Sequence, residues 1–312
     1  MSDFSITSDI VDLPRGAWAK GHRLYILWRG RPVISLTQGD YRAYLHPVYT
    51  PAGYALTTES PPDHPHHNAI WLAADRVHCR LPFSVDTFEE AVYNFYVNET
   101  FQGRAPGRII SMSVDHDIVS ETHLKIRQML HWQGPPEWAA PEGRTLIHET
   151  RTIDIHPDDI AHVFDLRSSL SATEWDLTIG PVRHAYFGIR MTEALRGTQG
   201  AVYTDGGGRI GAAAITGETA GWIDCFGLVT QDHTAGIAVF RPPDVEPYPW
   251  QVADYGTITI NPFGTGGCSL SREETIEQAI RIVTHDGDVN EAGVAERYNA
   301  FVSGKISPDN VI

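Results

Sequence analysis

The strongest constraint on this fold is a series of strand-period segments with almost nothing helical between them. "RIISMSVDHDIV" (108–119) sets Ile110, Met112, Val114 and Ile118 against Ser111, Ser113, Asp115 and Asp117. "THLKIRQMLHW" (122–132) does the same with Leu124, Ile126, Leu130 and Trp132, and "RTLIHETRTIDIH" (144–156) and "IAHVFDLRSSLSA" (160–172) continue the pattern. An apolar residue at every second position makes one buried face only if the chain is extended. Upstream, "HRLYILWRGRPVISLT" (22–37) reads as two strands about a tight turn at Arg29-Gly30, and "GWIDCFGLVT", "AGIAVF" and "GTITI" add later strands. Strands that follow one another without intervening helices predict an all-β, large antiparallel sandwich and not βαβ units. "ETIEQAIRIVTHDG" (274–287) fits a helix or a strand. "VNEAGVAERYNAF" (289–301) predicts a short C-terminal helix with Val294, Tyr298 and Phe301 on one face. With no repeat, low-complexity tract or linker, residues 1–312 read as a single β-sandwich domain. Residues 1–18 are expected to be an N-terminal extension, and 288–312 the helix and tail.

Charge and cysteines narrow the function. The net charge of −15 repels phosphate backbones and anionic bilayers, so neither nucleic acid nor membrane is an expected partner. No apolar run reaches the roughly 18 residues of a membrane span. The N-terminus has no basic start followed by an apolar stretch, so it does not read as a secretory signal. Cys79, Cys225 and Cys268 are scattered, without a CxxC pair. They predict reduced thiols in a cytoplasmic protein and no sulfur-based zinc site. No GxGxxG, P-loop or GxSxG signature points to a nucleotide cofactor or a hydrolase nucleophile.

The densest chemistry lies in "SPPDHPHHNAIW" (60–71), where Asp63, His64, His66 and His67 crowd behind two prolines. Prolines fix φ, so these groups are presented at little entropic cost. If the segment is extended, His64 and His66 point to one side, and Asp63 and His67 to the other. An imidazole titrates near neutrality, so one facing a substrate and oriented by a carboxylate is a general acid–base. The same residues could instead coordinate a divalent metal with help from His46, Glu149 or His184, or merely satisfy loop backbone.

Glu149 shares a predicted strand face with Ile147, Arg151, Ile153 and Ile155. A carboxylate there must be paired, with Arg151 as the obvious partner, or must line a cavity. In "RHAYFGIRM" (183–191), His184, Tyr186 and Arg190 share the face opposite Ala185, Phe187, Ile189 and Met191, which is either a polar platform or a solvated outer face. The proline-rich stretch "FRPPDVEPYPWQVADYGTITINPFG" (240–264) places Tyr248 and Trp250 near Asp244, Glu246, Asp254 and Asn261. Aromatics beside carboxylates suit a sugar, rings on its apolar face and carboxylates on its hydroxyls. A loop that simply covers the core would carry the same composition.

The segments "YLHPVYTPAG…PPDHPHHNAIW" (44–71), "HAYFGIRM" (184–191) and "GIAVFRPPDVEPYPWQVADYGTITINPFG" (236–264) together resemble the PmoA-like family of bacterial proteins. The resemblance extends over about residues 20 to 287. That family is in turn similar to the galactose-mutarotase-like β-supersandwich proteins, which implies a supersandwich fold and an intracellular carbohydrate-related role. It does not imply a methane-oxygenase subunit, because such a subunit is an integral membrane protein.

The sequence thus predicts an enzyme acting on a small polyhydroxylated or cyclic, sugar-derived substrate by histidine/carboxylate acid–base catalysis, such as epimerisation, β-elimination or ring-opening hydrolysis. His64, His66, His67 and Asp63 are the expected catalytic centre, with His46, Glu149 and His184 completing it. Tyr49, Arg190, Tyr248, Trp250, Asp254 and Asn261 are the expected substrate contacts. No organic cofactor is expected, a divalent metal and an oligomer are left open, and the substrate is the only expected partner. A metal-dependent hydrolase or lyase on the same histidines, and a non-catalytic carbohydrate-binding protein, are the competing readings.

Overall fold

A computed structural model describes residues 3–14, 19–137, 140–182, 185–264 and 266–304. The alternating segments fold into two 8-stranded sheets and a 5-stranded sheet. The first runs from edge to edge through Phe4–Asp12, Lys20–Trp28, Arg31–Gln38, Ala43–Val48, Ile70–Ala74, Ala185–Arg190, Thr257–Ile260 and Trp250–Ala253. The second runs through Val202–Asp205, Trp222–Thr230, His233–Phe240, Thr275–Asp286, Ala161–Ala172, Thr145–Pro157, His123–Gln133 and Arg108–Ser120. The third comprises Cys268–Leu270, Leu177–Ile179, Val77–Ser84, Thr87–Asn94 and Ala105–Pro106. All pairings within the two large sheets are antiparallel. The expected all-β antiparallel sandwich is therefore the observed fold.

The two large sheets share one apolar core. Ile26, Leu45, Leu72, Ile189 and Ile258 of the first belong to the same buried cluster as Leu124, Ile126, Leu130, Ile153, Leu166 and Ile282 of the second. Polar bridges also join the sheets: the Ser168 and Tyr186 hydroxyls lie 2.6 Å apart, and Arg151 donates to the Ala43 carbonyl. The Arg29-Gly30 turn forms as expected, with φ of 50° and 75°, the left-handed pair that a two-residue hairpin of native twist requires.

Three expectations change once the sheets are assembled. The ambiguous segment is the strand Thr275–Asp286, paired on either side with His233–Phe240 and Ala161–Ala172; its second half, Ile280–His285, is buried on both faces, so the apolar pattern there looks continuous. Residues 4–12 are not an appendage, because they pair in unbroken register with the next strand, from Phe4 opposite Trp28 to Asp12 opposite Lys20. Finally, Met112, Val114 and Ile118 are exposed and not core. Arg108–Ser120 is the edge strand of its sheet, and a register shift opposite Met129/Leu130 breaks its alternation.

The C-terminal helix spans Val294–Val302 and packs Tyr298 and Phe301 against Phe240. No helix among the described residues is long and apolar enough to cross a membrane.

Candidate functional site

The proline-bounded loop is not extended. His64 N donates to the Pro61 carbonyl and His67 N to the His64 carbonyl, giving two successive tight turns. An i to i+3 turn brings its end residues together, so the rings of His64 and His67 stack 4.7 Å apart instead of pointing to opposite sides. His66 meets both rings edge-on, at 5.8 and 4.6 Å. Arg42, fully buried, holds this loop from beneath by donating to the His66 carbonyl, and it also reaches the Tyr96 carbonyl and the Asn98 side chain.

These rings form one wall of a cavity of about 520 Å³. Tyr96, Val97, Glu99 and Phe101 form a second wall, and the hairpin that carries Gln251, Tyr255, Thr257 and Thr259 closes the third side. Such a volume suits a small-molecule ligand. Tyr255 stacks on His64 at 4.6 Å, and Trp71 stacks on the far face of the cluster against His67 at 4.8 Å.

Asp63 joins this wall to the sheet. Both of its oxygens accept from Nη2 of the buried Arg190, at 2.8 and 2.6 Å, and Arg196 lies 3.6 Å away. Burial would raise its pKa, but the hydrogen bonds from Arg190 and His64 and the Arg190 charge outweigh that and leave it well below the usual carboxylate range. A carboxylate held ionised can only accept, so Nδ1 of His64, 3.0 Å from Oδ2, carries the donated proton. In the neutral imidazole, Nε2 of His64 then carries the lone pair.

His67 differs from its neighbours. It is buried, with Nε2 2.9 Å from the Tyr96 hydroxyl. Burial first, then the charges of His66, His64, Arg190 and Arg42, lower its pKa to about 2, so it stays neutral across the physiological range.

The other sequence candidates separate from this cavity. His46 sits in a distinct polar cluster, 3.2 Å from the Thr57 hydroxyl and 3.9 Å from Glu59, which itself binds Arg23 and Tyr44. Burial and then the Arg23 charge bring its pKa down to about 3. Burial raises the Tyr49 phenol, and the Arg23 charge opposes the rise; Tyr49 is not among the cavity-lining residues. Glu149 lies in the core between the sheets, accepting from Trp132 Nε1, from Arg151 Nε and Nη2 and from Ser168. It is the paired carboxylate of the two alternatives, because all its oxygen capacity is spent on buried donors. Tyr248 and Trp250 are buried, edge-to-face at 5.6 Å, with the indole donating to the Ala220 carbonyl. Asn261 is spent on its own turn, accepting from Phe263 N and donating to the Val182 carbonyl. Asp254 is exposed next to Tyr255 in the hairpin turn. His184 lies outside the described residues. No three described His, Cys, Asp or Glu side chains are arranged to hold a metal ion.

The sequence reading missed Tyr96, Glu99, Phe101, Arg42 and Tyr255. Tyr255 was available in the quoted 240–264 stretch, whereas 95–101 carries no motif and reaches the cavity only through the turns after Thr87–Asn94.

Gly188 connects sheet to site. A Cβ there would collide with the Trp71 indole on the neighbouring strand. Gly188→Ala is therefore expected to cost about 1–3 kcal/mol in denaturant unfolding. It is also expected to displace the ring on which His67 stacks; unchanged stability would show that Trp71 has room to move.

Fold and cavity together define a large antiparallel β-sandwich with a histidine-walled pocket opening beside its first sheet. The chain belongs to DUF6807, a family of unknown function whose model matches residues 23–299. That match corrects the resemblance drawn from the 44–71, 184–191 and 236–264 segments, since the family is not the PmoA-like one. No curated protein matches the sequence. Among solved structures, a galactose mutarotase related enzyme from Lactobacillus acidophilus is similar over 81% of this chain and 95% of its own, at 6% identity and a TM-score of 0.35. A human-microbiome protein described as a kojibiose phosphorylase is similar over 88% of this chain and 32% of its own, at 8% identity and a TM-score of 0.30. Likenesses this distant carry no argument about chemistry.

Proposed function

We propose that this protein is an enzyme that acts on a small, cyclic, polyhydroxylated substrate by general acid–base catalysis, with His64 as the base and Asp63 as the group that orients it. The observation that carries the reading is the Arg190–Asp63–His64 chain at the wall of a ligand-sized cavity. Arg190 keeps the carboxylate ionised, the carboxylate fixes the imidazole tautomer, and the remaining nitrogen is free to remove a proton from a substrate hydroxyl. His66 is a second half-buried imidazole on the same wall. Tyr255, Tyr96 and Phe101 offer ring faces to the apolar side of a sugar, and Glu99, Gln251, Thr257 and Thr259 offer partners for its hydroxyls.

The test is a panel of aldoses, ketoses, uronates and aldonolactones, followed by thermal shift for binding and by NMR and polarimetry for turnover. His64→Gln is expected to lower turnover by roughly 10²–10⁴-fold while the ligand-induced thermal shift remains. A sugar that stabilises the wild-type protein without being converted would make this a binding protein. If no member of the panel binds, the substrate class is wrong.

A further inference from the structure

We propose that the Thr257 hydroxyl is the oxyanion donor of this site, the group that hydrogen-bonds the substrate oxygen as His64 takes its proton, an inference that rests on the acid–base reading of His64. Removing a proton from a sugar hydroxyl leaves the bonding electron pair on the oxygen, and the cavity wall has to meet that charge. A hydrogen-bond donor already aimed at the oxygen lowers the barrier without reorganising as the charge develops. Thr257 lines the same cavity as His64, and its side chain is buried in the wall.

The direction of its proton follows from the residue beside it. Thr257 and Arg190 lie directly opposite each other on neighbouring antiparallel strands, so their side chains rise on the same face. Nη1 of Arg190 is 3.4 Å from Oγ1 of Thr257. A guanidinium has N–H donors and no lone pair, so in this long contact the threonine oxygen can only accept. Its own proton goes elsewhere, and among the described residues it meets no acceptor. The direction left to it is the cavity. Nη2 of the same guanidinium holds Asp63, and Asp63 holds His64. One buried cation therefore sets the base on one side and the hydroxyl donor on the other. Tyr255, two residues before Thr257, stacks on the His64 ring at 4.6 Å and ties the base to the hairpin that carries the donor. As the proton passes from the substrate hydroxyl to Nε2 of His64, the alkoxide accepts a hydrogen bond from Thr257, which keeps its own proton throughout. Return of the proton from His64 restores the starting state.

Kinetics on the sugar panel separate this role from simple binding. Thr257→Val keeps the shape of the side chain and removes the hydroxyl, and urea unfolding checks that the fold is retained. Its kcat is expected to fall by roughly 10²-fold with KM changed by less than about threefold, and Thr257→Ser should recover most of the loss. A change in KM alone would show that the hydroxyl binds ground state and transition state alike, and would overturn the oxyanion role. Wild-type rates in Thr257→Val alongside an inactive His64→Gln would remove Thr257 and leave the base in place. A crystal of His64→Gln soaked with the sugar that stabilises it tests the geometry without turnover. Oγ1 of Thr257 is expected within about 3.2 Å of a sugar oxygen, and a sugar bound out of its reach would overturn the proposal. Absence of turnover in the wild-type protein would remove the reaction itself, and with it the role of Thr257.

Discussion

Replacing Glu149 with alanine is expected to destabilise the protein by about 3–5 kcal/mol, because it strands a buried cation. Arg151 is inaccessible to solvent and gives Nε and Nη2 to this carboxylate. Trp132 and Ser168 lose their acceptor as well. With total stabilities of about 5–15 kcal/mol for natural domains, the loss would be a large share of what holds the sandwich together. The double replacement of Glu149 and Arg151 by methionine should recover much of it, since apolar residues of similar volume often substitute for a buried pair without net cost. Urea unfolding followed by tryptophan fluorescence reads both. A single-mutant loss below about 1 kcal/mol would mean that water reaches Arg151 and that the two sheets are not sealed at this point.

The protein is also expected to unfold in mild acid, well above the range in which carboxylates titrate. Burial lowers the pKa of His156 and His162 to about 4, of His46 to about 3 and of His67 to about 2. In the unfolded chain an imidazole titrates near 6.5, so below that pH the unfolded state binds protons that the folded state refuses. The sign follows directly: the stability these four groups contribute is full above about pH 6.5 and falls with pH until each folded-state pKa is passed. Each such group contributes about 1.4 kcal/mol per pH unit, and the four together approach about 5 kcal/mol per unit between pH 6.5 and 4. His285 is different. Burial alone would lower it, but its bond to Asp224 raises it, so its contribution is already complete below 6.5 and does not flatten the slope. Burial also raises Asp224, so protonation of this carboxyl in the folded state returns part of the loss as the pH falls towards the carboxylate range from above. Circular dichroism across pH 7 to 4 should show a cooperative transition before pH 4. A protein still folded at pH 4 would show that the buried imidazoles find proton acceptors as the pH drops.

These results separate what periodicity can convey from what it cannot. The strands from 122 to 172 were legible because each has a solvent face and a core face, so hydrophobicity repeats at the spacing of the pleat. Thr275–Asp286 was not, because a central strand covered on both sides loses that contrast. Glu149 was readable as an inward-facing carboxylate with Arg151 on its own strand as a partner, but the Trp132 and Ser168 donors that complete its shell come from the neighbouring strands and appear only once the sheet is paired. The loop at 60–69 declared its chemistry through composition and concealed its geometry, since two successive turns rotate the histidines in a way an extended reading inverts. Tyr96 and Arg42 were silent for a further reason. A tyrosine after a strand and an arginine before one are unremarkable until long-range pairing brings their segments under the same loop.

Among the described residues, the walls of the cavity come from loops and strands of the first sheet and from the segment after Thr87–Asn94. The second sheet supplies none of them. Substitutions on its outward face can therefore accumulate as changes in robustness alone, so a lineage could retune the temperature at which this protein unfolds without altering the histidine-walled cavity. The same separation offers an engineer a place to fix, label or immobilise the molecule while its working side is left untouched.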